Sequence, residues 1–134
     1  MFFDGNQADI EFIVDTGAMC TSLGEDDAMR LGVSFDESPK SKRSVAGVDG
    51  KADVRCIENV RMVIPCDGNN ACVHEFDSMN IIKRPRAKKR ANRSKMRMEQ
   101  EVLPMPSLLG IDFLVEEGMR LDIDFKGLNG HMEF

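Results

Sequence analysis

Phe12-Ile13-Val14-Asp15-Thr16-Gly17-Ala18 is the stretch on which the reading of this chain turns. Ile10, Phe12 and Val14 fall on one side of an extended backbone and Ile13 on the other, a short β-branched and aromatic run that reads as a strand. The run stops at Asp15-Thr16-Gly17-Ala18, where Asp and Gly signal a turn. A strand that delivers an Asp into a tight Gly turn places a carboxylate at the end of a rigid element, within reach of backbone N–H groups. The small Gly17 and Ala18 leave space for the backbone of a ligand to approach. Taken alone, the triplet is weak, because an ordinary Asp-Gly turn with a hydrogen-bonded carboxylate accounts for it equally well.

Working outward, Glu25-Asp26-Asp27-Ala28-Met29-Arg30-Leu31 reads as a short helix, with acids in its first turn, Arg30 in its last and Gly32 to stop it. Residues 33–43 are polar, contain Pro39 and are expected to form a loop. Two extended pieces, Ser44–Val48 and Ala52–Ile57, flank Gly47 and Asp49-Gly50 and predict a β-hairpin with a glycine-rich tip. Val60–Ile64 is a further strand, ended by Pro65 and by the turn-like Asp67-Gly68-Asn69-Asn70, and Val73–Ile82 is extended. Leu108-Leu109 reads as a buried strand. Asp112–Glu117 reads as a helix with Asp112 as its N-cap and Gly118 as its stop. Leu121, Ile123 and Phe125 alternate as a strand, and Asn129-Gly130 turns the chain toward His131–Phe134. The sum is an all-β chain with one or two short helices and no internal repeat.

The 134 residues make one domain, 1–134, the natural expectation. Apolar residues at 42% and charged residues at 31% argue against a wholly disordered chain. A net charge of −5 excludes a globally basic nucleic-acid binder, and the absence of Trp and Tyr removes the usual base-stacking platforms. The sequence has neither a long apolar run nor a basic-then-apolar leader, so no membrane contact is expected and a cytoplasmic location is. One segment stands apart. Lys83–Arg97 holds nine of the 18 basic residues and no acid, and marks a basic insertion loop at about 83–99. A solvated loop is the plain reading; a nucleic-acid or acidic-partner patch and a protease-sensitive linker are the sharper ones.

Cys20, Cys56, Cys66 and Cys72 form no Cys-x-x-Cys pair, and reduced thiols are the expectation. Cys66-x5-Cys72-x-His74 is a partial zinc pattern, but its spacing is unusual and it lacks a fourth ligand. Neither His74 nor His131 has a context that pairs it with Cys20 as a nucleophile, and His131 reads as a surface strand residue. The methionines read as filler of core or cleft, with Met19 placed to line a pocket beside Ala18.

Three motifs in order change the weight of the first. Phe12–Ala18 followed by Thr21, then Val45-Ala46-Gly47-Val48-Asp49-Gly50, then Leu108-Leu109-Gly110-Ile111-Asp112-Phe113-Leu114, resemble the retropepsin-type aspartic proteases, a family with retroviral, retrotransposon and cellular single-domain members. Gly-x-Asp-Phe-Leu after the late apolar pair, and a helix ending in Leu31-Gly32-Val33, look more like the retrotransposon and cellular branches. The resemblance covers roughly residues 8–64 and 102–134. It implies a single-domain, homodimeric acid-protease fold with Asp15 as the catalytic carboxylate. It further implies that Thr16 bonds across to a partner's loop, Gly17 offers backbone groups to carboxylate and substrate, and Ala18 keeps the cleft floor low. Val45, Ala46, Gly47 and Val48 belong to a flap over a peptide substrate; Met19 and Leu108 line side-chain pockets, and Leu109 and Gly110 support the turn. Where many retroviral members carry acids after the Ala, this chain has Met19 and Cys20, and Ile111 replaces their Arg.

The chemistry the resemblance implies needs two carboxylates sharing one proton, and neither cofactor nor metal. The chain has one Asp-Thr-Gly; Asp4-Gly5, Asp49-Gly50 and Asp67-Gly68 lack the hydroxyl residue. The second carboxylate is therefore expected from a second copy of Asp15 across a two-fold axis. The expected activity is that of an aspartic endopeptidase. Its rivals are a retropepsin-like peptide-binding or dimerisation module of little turnover, and a protein tethered to nucleic acid by Lys83–Arg97.

Overall fold

The computed structural model describes residues 1–42, 46–47, 50–83, 105–124, 126–127 and 129–133. Most of Lys83–Arg97, and Val45 and Val48 of the expected flap, lie outside them. The architecture is mostly β with two short helices, as the sequence predicts.

Phe2–Phe3 (β1) and Asn6–Gln7 (β2) form a hairpin that the sequence reading misses. Its turn residues Asp4 and Gly5 both have positive φ, 45° and 80°, the mirror-image turn that an Asp-Gly pair favours. Phe12–Val14 (β3) is the expected strand, followed by Ser22–Gly24 (β4) and the helix Glu25–Arg30 (α1). Gly32, at φ 81°, ends that helix in the left-handed conformation, and its N–H donates to Met29 O at 3.0 Å.

Ala46–Gly47 (β5) pairs with Gly50–Lys51 (β6), Gly47 opposite Gly50, which bears out the hairpin and its glycine-rich tip. The arms are longer than expected on the N-terminal side. Lys40 bridges Arg55, and the Ser41 N–H donates to Val54 O at 3.0 Å, so the end of the predicted 33–43 loop is extended. Asp53–Pro65 (β7) is one 13-residue strand, not two. Asn59, at φ 58°, interrupts the ladder without shifting it: Glu58 faces Ser78 and Val60 faces Phe76. A 3-10 turn at Asp67–Asn69 leads into Ala71–Lys83 (β8), antiparallel to β7 along its whole length.

Ser107–Leu109 (β9), the helix Ile111–Glu116 (α2), Arg120–Asp124 (β10) and Asn129–Glu133 (β11) complete the chain. Asn129 and Gly130 lie within β11, not in the turn, because Asp124 already pairs with Asn129. The main sheet has the order β2-β1-β7-β8-β4-β9-β3. β3 runs parallel to β9, β9 antiparallel to β4, and β4 parallel to β8, so a strand from near each end of the chain closes one edge. Phe113, Leu23, Leu31, Met79, Ile81 and Val60 are fully buried and join both helices to the β7–β8 ribbon. Burying a Phe or Leu side chain contributes about 1.5–3 kcal/mol, so this cluster fixes where α2 sits. Among the described residues no helix is long and apolar enough to cross a membrane.

Candidate active site

Asp15 leaves the end of β3 at the sheet edge and is tied down by backbone. Its N–H donates to Leu109 O at 3.0 Å, and its own carbonyl accepts from Ala18 N–H at 3.0 Å. Its carboxylate Oδ1 accepts the Gly17 N–H at 2.8 Å. A Cβ on Gly17 would stand 3.1 Å from that same oxygen, so any larger residue there crowds the carboxylate. The sequence reading of Gly17 as a backbone partner of Asp15 matches this contact. Thr16 is exposed, Ala18 half-buried and Met19 75% exposed, all on the open side of the turn.

The turn rests on the start of α2. Ile111 N–H donates to Ala18 O at 2.8 Å, and Gly110 N–H donates to the Thr21 hydroxyl at 3.0 Å. That hydroxyl and the Thr21 N–H both donate to Asp112 Oδ1, each at 2.8 Å. Asp112 is thus not the helix N-cap; Gly110 holds that position and supplies no side-chain bond. A capping Asp and an Asp bonded across the fold look alike in sequence, and only the 91-residue contact separates them. A Cβ on Gly110 would come within 2.5 Å of the Cys20 carbonyl carbon and 2.7 Å of Thr21 N. The floor beneath the turn therefore admits glycine alone. A second polar tie braces the other side: Ser107, fully buried, donates to Asp27 Oδ2 at 2.7 Å and accepts from Gly24 N–H at 3.1 Å.

Side-chain alternation divides β3 and β9 between two faces. Phe12, Val14 and Leu109 turn inward and, with Ile10, Met62 and Met132, line a cavity of about 390 Å³ behind the turn. Asp15 is not on that face. Ile13 and Leu108 are register partners on the opposite face, the one Asp15 shares. Ile13 is 55% exposed despite lying in a strand, and Leu108 is half-buried beside it. The sequence reading includes Leu108 but passes over Ile13, whose signal was its parity with Asp15. Of the expected flap, the backbone of Ala46 and Gly47 is in place in β5, while Val45 and Val48 lie outside the described residues.

Among the described residues one cluster gathers metal-ligand atoms within 4.8 Å of one another: Asp122, His131 and Glu133 on the terminal hairpin, with Arg120 already on the Asp122 carboxylate at 3.1 Å. His131 is exposed, as expected.

The model of the aspartyl protease family matches residues 3–65, which takes in β3, the Asp15 turn, α1 and the hairpin. No curated protein and no solved structure gives a match. An Asp at the end of an edge strand and a glycine-only floor built by a late apolar-apolar-Gly segment stand beside that match: residues 3–65 are similar to the aspartyl proteases of the retropepsin type, and the fold is all-β with two short helices.

Proposed function

We propose that the chain is an aspartic endopeptidase that works as a homodimer, each copy contributing one Asp15 to a shared cleft. The observation that carries the reading is the Asp15 turn itself: one Asp-Thr-Gly carboxylate per chain, at the end of an edge strand, with Gly17 N–H on one oxygen. Aspartic-protease chemistry takes two such groups. Like charges held close cannot both ionise cheaply, so the pair keeps one proton. The ionised member takes a proton from water, the protonated member polarises the scissile carbonyl, and water attacks without a covalent enzyme intermediate.

The rest of the site is assigned on the same reading. Thr16, exposed in the single chain, is assigned the hydrogen bond across the two-fold axis that locks the two turns together. Ile13, Leu108 and Met19 give the cleft an apolar wall, which suits bulky apolar residues around the scissile bond. The β5–β6 hairpin is the flap, with Val45, Ala46, Gly47 and Val48 over the substrate. The whole of 1–134 is one protease domain, and the basic 83–99 segment is an insertion into it.

The test is cleavage of a diverse peptide mixture at several acidic pH values by wild type and by Asp15→Asn. The amide is nearly isosteric but cannot act as a base, so the variant should lose all detectable cleavage while sedimenting as the same dimer. Full activity in Asp15→Asn, or activity in a chain that stays monomeric at high concentration, overturns the reading.

A further inference from the structure

The C-terminal end of α2 carries two consecutive carboxylates, Glu116 and Glu117, and both face one buried histidine of β8, His74. We infer that His74 is a positioning residue: its imidazolium, held between Glu117 and Glu116, is an acid-dependent clamp that fixes α2 and with it the floor under Asp15. The effect on cleavage rests on the protease reading, whereas the clamp rests on the fold alone.

Placement comes first. Strand alternation puts Cys72, His74 and Phe76 on the inner face of β8, opposite Ile64, Met62 and Val60 of β7. His74 is only 6% exposed and is held edge-on by the rings of Phe76 and Phe113, with centroids at 4.4 and 5.0 Å. Its Nδ1 meets Glu117 Oε1. The Cys72 thiol donates to the other oxygen, Glu117 Oε2, at 3.7 Å, so both oxygens of that carboxylate are committed to β8. The second ring nitrogen, Nε2, faces Glu116 Oε2 at 3.9 Å. Among the described residues no other carboxylate or cation lies within ion-pair distance of the ring, and its register partner on β7, Met62, brings no charge.

Counting protons gives the acid dependence. A neutral imidazole donates from one nitrogen, a protonated one from both. Glu117 occupies Nδ1 in either state. The second proton therefore belongs to Nε2, and only with it does the ring hold a donor for Glu116. Glu116 is 70% exposed, so closing on the ring displaces only solvent. Acid supplies that proton, and acid is also where a proton-sharing carboxylate pair works. The contribution of this second arm is present at low pH, until the carboxylates themselves take up protons, and is lost as pH rises. The helix passes the hold along. Glu117 N–H donates to Phe113 O at 3.0 Å and Leu114 N–H to Gly110 O at 3.3 Å, so backbone bonds run from the clamp to the glycine floor. Phe113 packs on His74 and directly follows Asp112, whose carboxylate holds Thr21. Ile111 N–H, bonded to Ala18 O at 2.8 Å, reports on the floor itself.

The test is amide hydrogen exchange at Ile111 in the full-length protein, as protection relative to an unstructured chain, at about pH 5.5 and about pH 8. Protection in wild type should be roughly two- to five-fold higher at the lower pH, the size of one solvent-screened ion pair. Glu116→Gln, a change at an exposed position, should remove that difference. His74→Asn keeps a donor for Glu117 but takes no charge, and should give the same flat response; if it unfolds the chain, Glu116→Gln carries the test. Glu58→Gln, the same change of charge at an exposed position of β7, should keep the wild-type difference. In peptide cleavage at about pH 5.5, Glu116→Gln should lower kcat by the same factor and leave KM unchanged. Equal protection at both pH values in wild type, or an undiminished difference in Glu116→Gln, overturns the clamp. An unchanged kcat in Glu116→Gln overturns the positioning role. Exchange is read without substrate, so full activity in Asp15→Asn overturns the protease reading and not the clamp.

Discussion

The two ends of α2 are held in opposite ways. At the N-terminal end, Gly110 presses against the Cys20–Thr21 backbone, Ile111 N–H bonds Ala18 O, and the one carboxylate there, Asp112, is fully engaged by the Thr21 N–H and hydroxyl. At the C-terminal end, backbone bonds that close the helix are joined by contacts between ionisable side chains: Glu117, His74, Cys72 and, at 3.9 Å, Glu116. The first end is defined by shape and has no adjustable part. The second depends on side chains that a single substitution can change. A six-residue helix thus has a fixed end under Asp15 and a tunable end about two turns away.

Breaking the fixed end should have the largest effect. Gly110→Ala pushes a Cβ into the Cys20 carbonyl, and should cost about 3 kcal/mol, the upper part of the overpacking range, with loss of cleavage. Urea denaturation measures this, and a cost below about 1 kcal/mol would mean that the floor can move. Asp112→Ala comes next. It strands Thr21 N–H, Thr21 hydroxyl and Phe113 N–H, and should cost about 2 kcal/mol while cleavage falls more than folding, because Ala18 shifts with Thr21. Glu117→Gln tests the tunable end. Glu117 is 25% exposed and water can take over part of its bonding, so about 1 kcal/mol is expected, with peptide cleavage retained.

The smallest effect is the most specific to that end. A thiol whose pKa lies higher in the folded chain than in the unfolded one binds its proton more tightly when folded. Its contribution is complete below the ordinary value of 9.0 and is lost as pH rises through the folded value. Wild type should therefore lose stability above pH 9.0 more steeply than Cys72→Ser, as seen in urea midpoints at about pH 8 and about pH 10. Equal slopes would show that neither burial nor Glu117 holds the Cys72 thiol up.

Sequence legibility followed the same division. Asp15, α1 and the β5–β6 hairpin were readable because each carries its signal within a few residues: a turn pair, a charge gradient, a glycine tip. The break at Glu58-Asn59 was misread because a residue at φ 58° looks like a strand end, whereas the 13-residue ladder against β8 carries the chain through. Asp112 has the local signature of a cap, yet its partner is Thr21. Ile13 and Glu117 were missed for one reason: their importance lies in which face or which distant strand they meet. Apolar parity beside a functional Asp is a signal that sequence does carry.

The edge position of β3 bears on the order of events during synthesis. Asp15 leaves the ribosome well before Leu109 and Gly110, Gly110 lying 89 residues beyond the Thr21 it supports. Until then the turn lacks its parallel neighbour and its floor, and pairings over such separations form late in folding. A nascent or C-terminally shortened chain therefore holds the carboxylate without the shape that makes it useful. The fold itself withholds the finished turn until the Leu109–Gly110 segment has docked.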